Sequence, residues 1–218
     1  MEESSVVSAD RPESPPRPAL LGPAALASYG AGADPAAAGE AAHATAYALV
    51  TARGGDSDRA AADRLLAAMD ELGIETIAQM WAGRPARTLP GALWRLYALR
   101  EWVRRDPAGA SLDFRGGAGR AEVARVVAGP AEPPTPEALR DLLDAILGGA
   151  FAGDLAVALE RAGAFARVVA TGRACRADET DGSDPVSAVA LTRRSANLVR
   201  TAEDLEAAAA LWRSAELR

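Results

Sequence analysis

Six side chains suited to recognition rather than to bond-making crowd one short stretch, "LPGALWRLYALREWVRRDP" (Leu89–Pro107): Trp94, Tyr97, Arg100, Trp102, Arg104 and Arg105. Arginine presents a planar fork of donors to carboxylates and phosphates, and indole and phenol rings add large, rigid contact area. The chemistry of such a set is non-covalent: ion pairing, cation–π contact and stacking. Between Trp81 and Pro107 the arginines 84, 87, 95, 100, 104 and 105 face only Glu101 and Asp106, a local positive excess in a chain of formal net charge −6. From Asp56 to Glu75 the balance reverses, with Asp56, Asp58, Asp63, Asp70, Glu71 and Glu75 against Arg59 and Arg64. The simplest expectation is that the two segments pack together.

Arg100 poses the sharpest question. Leu89, Leu93, Leu96 and Val103 fall on one stripe of a helix, and Arg100 takes the place that remains in it. One expectation is architectural: the stem is buried and the guanidinium pairs with an acid from another helix. The other is functional: Arg100, Arg104 and Arg105, interleaved with Trp94, Tyr97 and Trp102, face a partner or an anionic ligand.

Groups that make and break bonds are sparse. His43 is the only histidine and lies four residues from Tyr47 in an alanine-rich helix, with no pattern around it that activates a nucleophile. Cys175 is the only cysteine. Arg173 and Arg176 beside it would favour a thiolate, but no resolving cysteine or neighbouring histidine accompanies it. Neither HExxH nor any paired Cys/His spacing occurs, so zinc has no ligands to draw on. Asp141 and Asp144, three apart with Arg140 beside them, read as a solvated face. The glycine-rich "FRGGAGRAE" (Phe114–Glu122) reads as a flexible hinge before a helix, and a phosphate cradle using Arg115 and Arg120 is the weaker alternative. No catalytic residue, no cofactor site and no metal site is expected.

The elements that must position these side chains are helical. The 218 residues suffice for one medium domain or two small lobes. Aromatics make up only 5%, and alanine, the strongest helix former, supplies much of the 49% hydrophobic content. The fold class is therefore all-α: a bundle-like domain of about seven or eight helices, as one body or two lobes, behind a disordered N-terminal tail. All 24 basic residues are arginine, which a GC-rich coding sequence explains more simply than anion recognition does. The acidic balance argues against a chain wrapped in nucleic acid or lying on an anionic membrane. One cysteine, no signal-peptide pattern and no long apolar run point to the cytoplasm and to no membrane partner.

Along the chain, the proline-rich residues 1–34 read as disordered tail. Residues 35–128 read as an N-terminal helical lobe, 129–136 ("GPAEPPTP") as a linker, and 137–218 as a C-terminal lobe. A first helix runs from Pro35 to Gly54-Gly55, a second starts near Ser57 with Leu65, Leu66, Met69 and Leu72 inward, and "IETIAQMWAG" forms a third. The helix that opens at Leu89 has Thr88 as cap and Pro90 in its first turn, and stops at Asp106-Pro107. "GRAEVARVVAG" adds a short helix. Thr135-Pro136-Glu137 then opens one whose Leu139, Leu142, Leu143 and Ile146 face inward, closed by Gly148-Gly149. "GDLAVALERAGAFARVVATG" predicts one kinked helix or two short ones, and 172–185 an exposed acidic loop. Leu191, Leu198, Leu205 and Trp212, seven apart, predict one seam of a long unbroken helix pair; a break at Thr201 and Asp204 is the alternative.

The phrases "LPGALWRLYALREWVRRDP", "GDLAVALERAGAFARVVATGRA" and "RTAEDLEAAAALWRSAELR" together resemble a group of poorly characterised all-helical proteins of high-GC bacteria, over most of residues 60–218. That resemblance implies no established activity. "LDFRGG" (Leu112–Gly117) carries a single aspartate where a polymerase metal site needs a cluster, so transcription enters only as an association. The leading expectation is a non-catalytic helical adaptor or scaffold that binds a protein partner. The second is a nucleic-acid or transcription-associated binder using helix 89–106, and the third a small-anion binder or enzyme anchored on Arg100.

Overall fold

The computed structural model describes residues 35–51, 74–129, 135–151 and 154–218. Among the described residues there are eight helices and no strand: α1 (Pro35–Thr51), α2 (Ile74–Trp81), α3 (Leu89–Arg105), α4 (Pro107–Ala118), α5 (Glu122–Ala128), α6 (Pro136–Phe151), α7 (Leu155–Asp181) and α8 (Pro185–Arg213). The all-α expectation holds. The tail 1–34, the helix expected after Ser57, nearly all of the acidic segment 56–75 and Pro130, Pro133 and Pro134 of the 129–136 segment lie outside the described residues.

The spine is the antiparallel hairpin of α7 and α8, which share the most extensive contact among the described helices. In α8 the residues turned fully into the hairpin are small: Ala188, Ser195, Ala202 and Ala209 are buried, seven apart. The leucine row lies three positions further on, where Leu205 is buried while Leu191, Leu198 and Trp212 are half-buried. Together the rows make a heptad seam in which the small residues set the close approach. A methyl group added at Gly163 of α7 would already lie 3.2 Å from the carbonyl oxygen of Ala202. The Ser195 hydroxyl donates to the Ala170 carbonyl at 2.8 Å and satisfies the one buried hydroxyl in that row. The helix is unbroken through Thr201 and Asp204, as the seven-residue spacing predicted.

Helices α4, α5 and α6 pack on α7, and α3 packs on α6 and α8. Helices on either side of residues 129–136 therefore share one core, and Ala36–Arg218 form one compact unit. The corner between α3 and α4 is Asp106. Its amide closes α3 on the Trp102 carbonyl at 3.0 Å, and its carboxylate caps α4 by accepting from Gly109 N at 2.9 Å. Pro107 then occupies the first turn of α4, where its missing N–H costs nothing. Thr88 caps α3 by accepting from Gly91 N, and Leu139, Leu142, Leu143 and Ile146 of α6 are all buried.

Two sequence expectations are corrected. The glycine-rich Phe114–Gly117 segment is not a hinge but the last turns of α4, and residues 172–181 are not a loop but the last turns of α7. Both corrections have one cause. A methyl at Gly117 would lie 1.9 Å from the Val168 carbonyl oxygen, and one at Gly172 would lie 1.7 Å from that of Asp113. The glycines let two helix backbones touch, and the acidic residues of 178–181 simply face solvent at the end of α7. A third expectation is also corrected: helix α6 is not closed by Gly148-Gly149 but runs to Phe151, without the close backbone approach seen at Gly117 and Gly172.

Candidate functional site

Where α4 crosses α7, Asp113 is turned into the core, its side chain 1% exposed. A buried carboxylate must be compensated. Arg173 reaches it with Nε at 2.8 Å and Nη2 at 2.7 Å, both to Oδ2, and Arg176 pairs with Oδ1. The far face of the Arg173 guanidinium lies over the Trp102 ring, 4.9 Å from the ring centroid. Asp113, Arg173 and Trp102, from three helices, thus hold the cation in one orientation.

Arg173 and Trp102 belong to a groove of about 750 Å³ between α3 and α8, within the size range of ligand sites. Its apolar floor is Trp94, Ala98, Leu99, Trp102 and Leu198; Asn197 and Thr201 of α8 add polar groups. Among the described residues four arginines line it, Arg84, Arg95, Arg173 and Arg194, against one acid, Asp106. They fall in two sets. Arg84 and Arg95 lie at the Trp94 end, because the 84–85 backbone sits against Gly91 at the start of α3. Arg173 lies at the Trp102 end, and Arg194 is placed there by its neighbour Ser195, which bonds to Ala170 one turn from Arg173. Along α3 the two ends are about 12 Å apart, eight residues at 1.5 Å each.

The arginines differ in what already holds them. Arg95 pairs with Asp204 at 2.9 Å and donates to the Gly91 carbonyl, and Arg173 is committed to Asp113. Among the described residues Arg84 donates only through Nε, to the Met80 carbonyl at 3.4 Å. Arg194 is exposed and has no hydrogen-bond or ion-pair partner among the described residues. Each end therefore carries one committed cation and one with donors to spare.

Of the six side chains singled out in the sequence, Trp94 and Trp102 line this groove and the other four do not. Tyr97 is buried, with its ring 5.9 Å from that of Trp94. Burial first, then the negative charges of Glu101 and Glu75, pushes its phenol above the ordinary range, so it remains a neutral hydroxyl. Arg100 and Arg104 turn toward α6. Arg100 Nε binds Asp144 Oδ1 at 2.5 Å and its Nη1 binds Glu101 at 2.7 Å, while Arg104 Nη1 reaches Asp144 at 3.3 Å. Arg105 is exposed. The acid that answers Arg100 is therefore Asp144, read from sequence as a solvated face, and its side chain is indeed 42% exposed.

Sequence reasoning missed Arg173, Arg194 and Asp113. The signal for Arg173 was present: "RAGAFARVVATGRACRA" continues the helical period of α7, with Val169 and Arg173 four apart on one face. The arginines flanking Cys175 are spent on Asp113, and the contact to its sulfur comes instead from Arg120 Nη1 at 3.0 Å. His43 Nδ1 lies 2.9 Å from the Gly39 carbonyl one turn back, a local helix contact. Among the described residues no cluster of His, Cys, Asp or Glu is arranged to hold a metal, and no helix is long and apolar enough to cross a membrane. No family model, no curated protein and no solved structure matches the chain.

Proposed function

We propose that this protein is a non-catalytic helical adaptor whose α3/α8 groove receives a segment of a protein partner. The observation that carries the reading is the placement of Arg173, locked between Asp113 and Trp102 at the floor of a groove that also holds Trp94. Arginine and tryptophan are the residues most enriched at the energetic centres of protein interfaces, and a side chain already fixed in place loses little entropy on binding. A catalytic reading has less support: among the described residues the groove lining contains no histidine, cysteine or serine, and the one carboxylate among them is engaged as the cap of α4. The second reading, a nucleic-acid binder, is disfavoured by charge. Asp106 inside the groove and Asp204 on Arg95 interrupt the continuous positive track that a phosphate backbone requires.

The test is site-specific photo-crosslinking in the native cell, with the reactive side chain at Ala98 on the groove floor and, as control, at the exposed Glu179 of α7. A discrete protein adduct from position 98 and none from 179 is expected. An adduct to nucleic acid, or no macromolecular adduct from position 98, would refute the adaptor reading.

A further inference from the structure

From the spacing of its charges we infer that the groove's occupant is an acidic amphipathic helix, a segment with carboxylates two turns apart and aliphatic residues between them. The inference rests on the adaptor reading and specifies the partner's chemistry. The groove is cationic at both ends and apolar in the middle. Arg84 and Arg95 stand at the Trp94 end, Arg173 and Arg194 at the Trp102 end, and Ala98, Leu99 and Leu198 lie between. A ligand with one anionic group would satisfy one end and leave the other without a counter-charge. A helix carrying acids at i and i+7 spans about 10.5 Å, close to the roughly 12 Å between the ends, and its i+3 and i+4 side chains fall on the same face over the apolar middle. The walls are two antiparallel helices, so a third laid between them completes the bundle packing that the groove leaves open.

Charge complementarity also sets which interactions matter. Arg95 and Arg173 keep their internal partners and contribute position and surface, whereas Arg84 and Arg194 have donors to give to an incoming carboxylate. Arg194 is exposed and has no hydrogen-bond or ion-pair partner among the described residues, so its replacement reads binding with little effect on the packing around it. Asp106, at the Trp102 end, would oppose an acidic residue placed beyond the second carboxylate, which limits the pattern to one acid per end.

The experiment follows the change in tryptophan fluorescence, to which Trp94 and Trp102 of the groove contribute, as the full chain is titrated with four defined probes. These are a capped helical peptide of about 14 residues with glutamates at i and i+7 and leucines at i+3 and i+4, the same peptide with glutamine for glutamate, a linear dicarboxylate of matching span, and a single-stranded oligothymidine. The glutamate peptide is expected to bind at least about tenfold more tightly than the other three, and to weaken with salt. Arg194→Glu and Arg84→Glu should each weaken it about tenfold, with partial recovery when lysine replaces the glutamate at the matching end.

A failure of the glutamate peptide to bind, while position 98 still crosslinks a protein, would overturn this inference and leave the adaptor reading standing. Equal binding of the glutamine peptide would overturn it in the same way. If the dicarboxylate binds as tightly, the site belongs to a small anion, and both readings fall. Preferential binding of the oligonucleotide likewise removes both in favour of a nucleic-acid binder. Peptide binding that ignores both charge reversals places the peptide elsewhere and refutes the inference.

Discussion

Arg100 and Arg173 make the same kind of contact in two different places. Each sits on one helix and pairs with an aspartate on another, Arg100 with Asp144 of α6 and Arg173 with Asp113 of α4. What differs is the acid. Asp144 keeps 42% of its side chain in solvent and is shared with Arg104, whereas Asp113 keeps 1% and has no water to fall back on. A charge conspicuous in an apolar stripe of the sequence is thus a surface seam, and the buried pair formed where two glycines let helices touch. The weight of an ion pair follows from how deeply its partner is buried, and a helical wheel drawn on one helix does not contain that quantity.

The largest effect should come from the buried pair. Asp113→Ala leaves Arg173 and Arg176 facing each other without a counter-charge, and is expected to lower stability by about 3–5 kcal/mol, a large share of what a domain possesses. Chemical denaturation of the variant checks this; a loss below about 1 kcal/mol would place the pair with surface bridges and dissolve the contrast with Arg100. Because Arg173 would lose its orientation over Trp102, the same variant should also lose groove binding wherever it remains folded.

Arg100→Ala should do much less. Asp144 remains solvated and keeps Arg104, so the expected cost is about 1 kcal/mol or below, well short of what a buried unpaired acid would impose. Arg100→Leu should match or exceed the parent, since an apolar side chain completes the stripe of Leu89, Leu93, Leu96 and Val103, all of them buried. Melting curves of the two variants side by side sharpen the comparison. A collapse in Arg100→Ala would mean that the seam is closed to water after all.

The smallest effect is expected at the exposed end of the scale. Arg213 holds the Glu160 carboxyl below its ordinary range by hydrogen bonding, against a smaller opposing effect of burial. The folded pKa is depressed, so the contribution is present above the unfolded value near 4.3 and is lost as pH falls through the folded one. Parent and Glu160→Gln should therefore differ slightly at neutral pH and converge under acid. A difference that persists at low pH would show that the glutamate acts through packing instead of charge.

How much of this was legible in the sequence depended on the range of the signal. Local chemistry read correctly: Thr88, Pro90 and Asp106-Pro107 delimit α3, Leu139 to Ile146 face inward, and seven-residue spacing carries α8 through Thr201. Glycine misled, because Gly116-Gly117 and Gly172 look like loop residues when only their own segments are considered. Their role appears when the segments are brought together across some fifty residues of chain. The candidate site divides along the same line. Trp94 and Trp102 were visible as aromatics on one helix, but Arg173 acquires meaning only from Asp113, sixty positions away, and Arg194 only from the helix that α8 faces. Of the six side chains, α3 turns Trp94 and Trp102 to the groove and Arg100 and Arg104 toward α6.

The three-residue turn Gly182–Asp184 has a kinetic consequence. It joins the two longest helices directly, with Asp184 capping the second by accepting from Ser187 N at 3.1 Å. The contacts of this hairpin are therefore near in sequence, the Ser195–Ala170 bond spanning 25 residues, whereas the Arg173–Asp113 pair spans 60. Loop-closure entropy rises with span, and chains reach their near contacts first. The order of assembly that follows runs from the C-terminal hairpin outward. Helix α4 docks onto a surface already made, and Arg173 gains its aspartate only when that docking is done. The groove is thus a late product of folding.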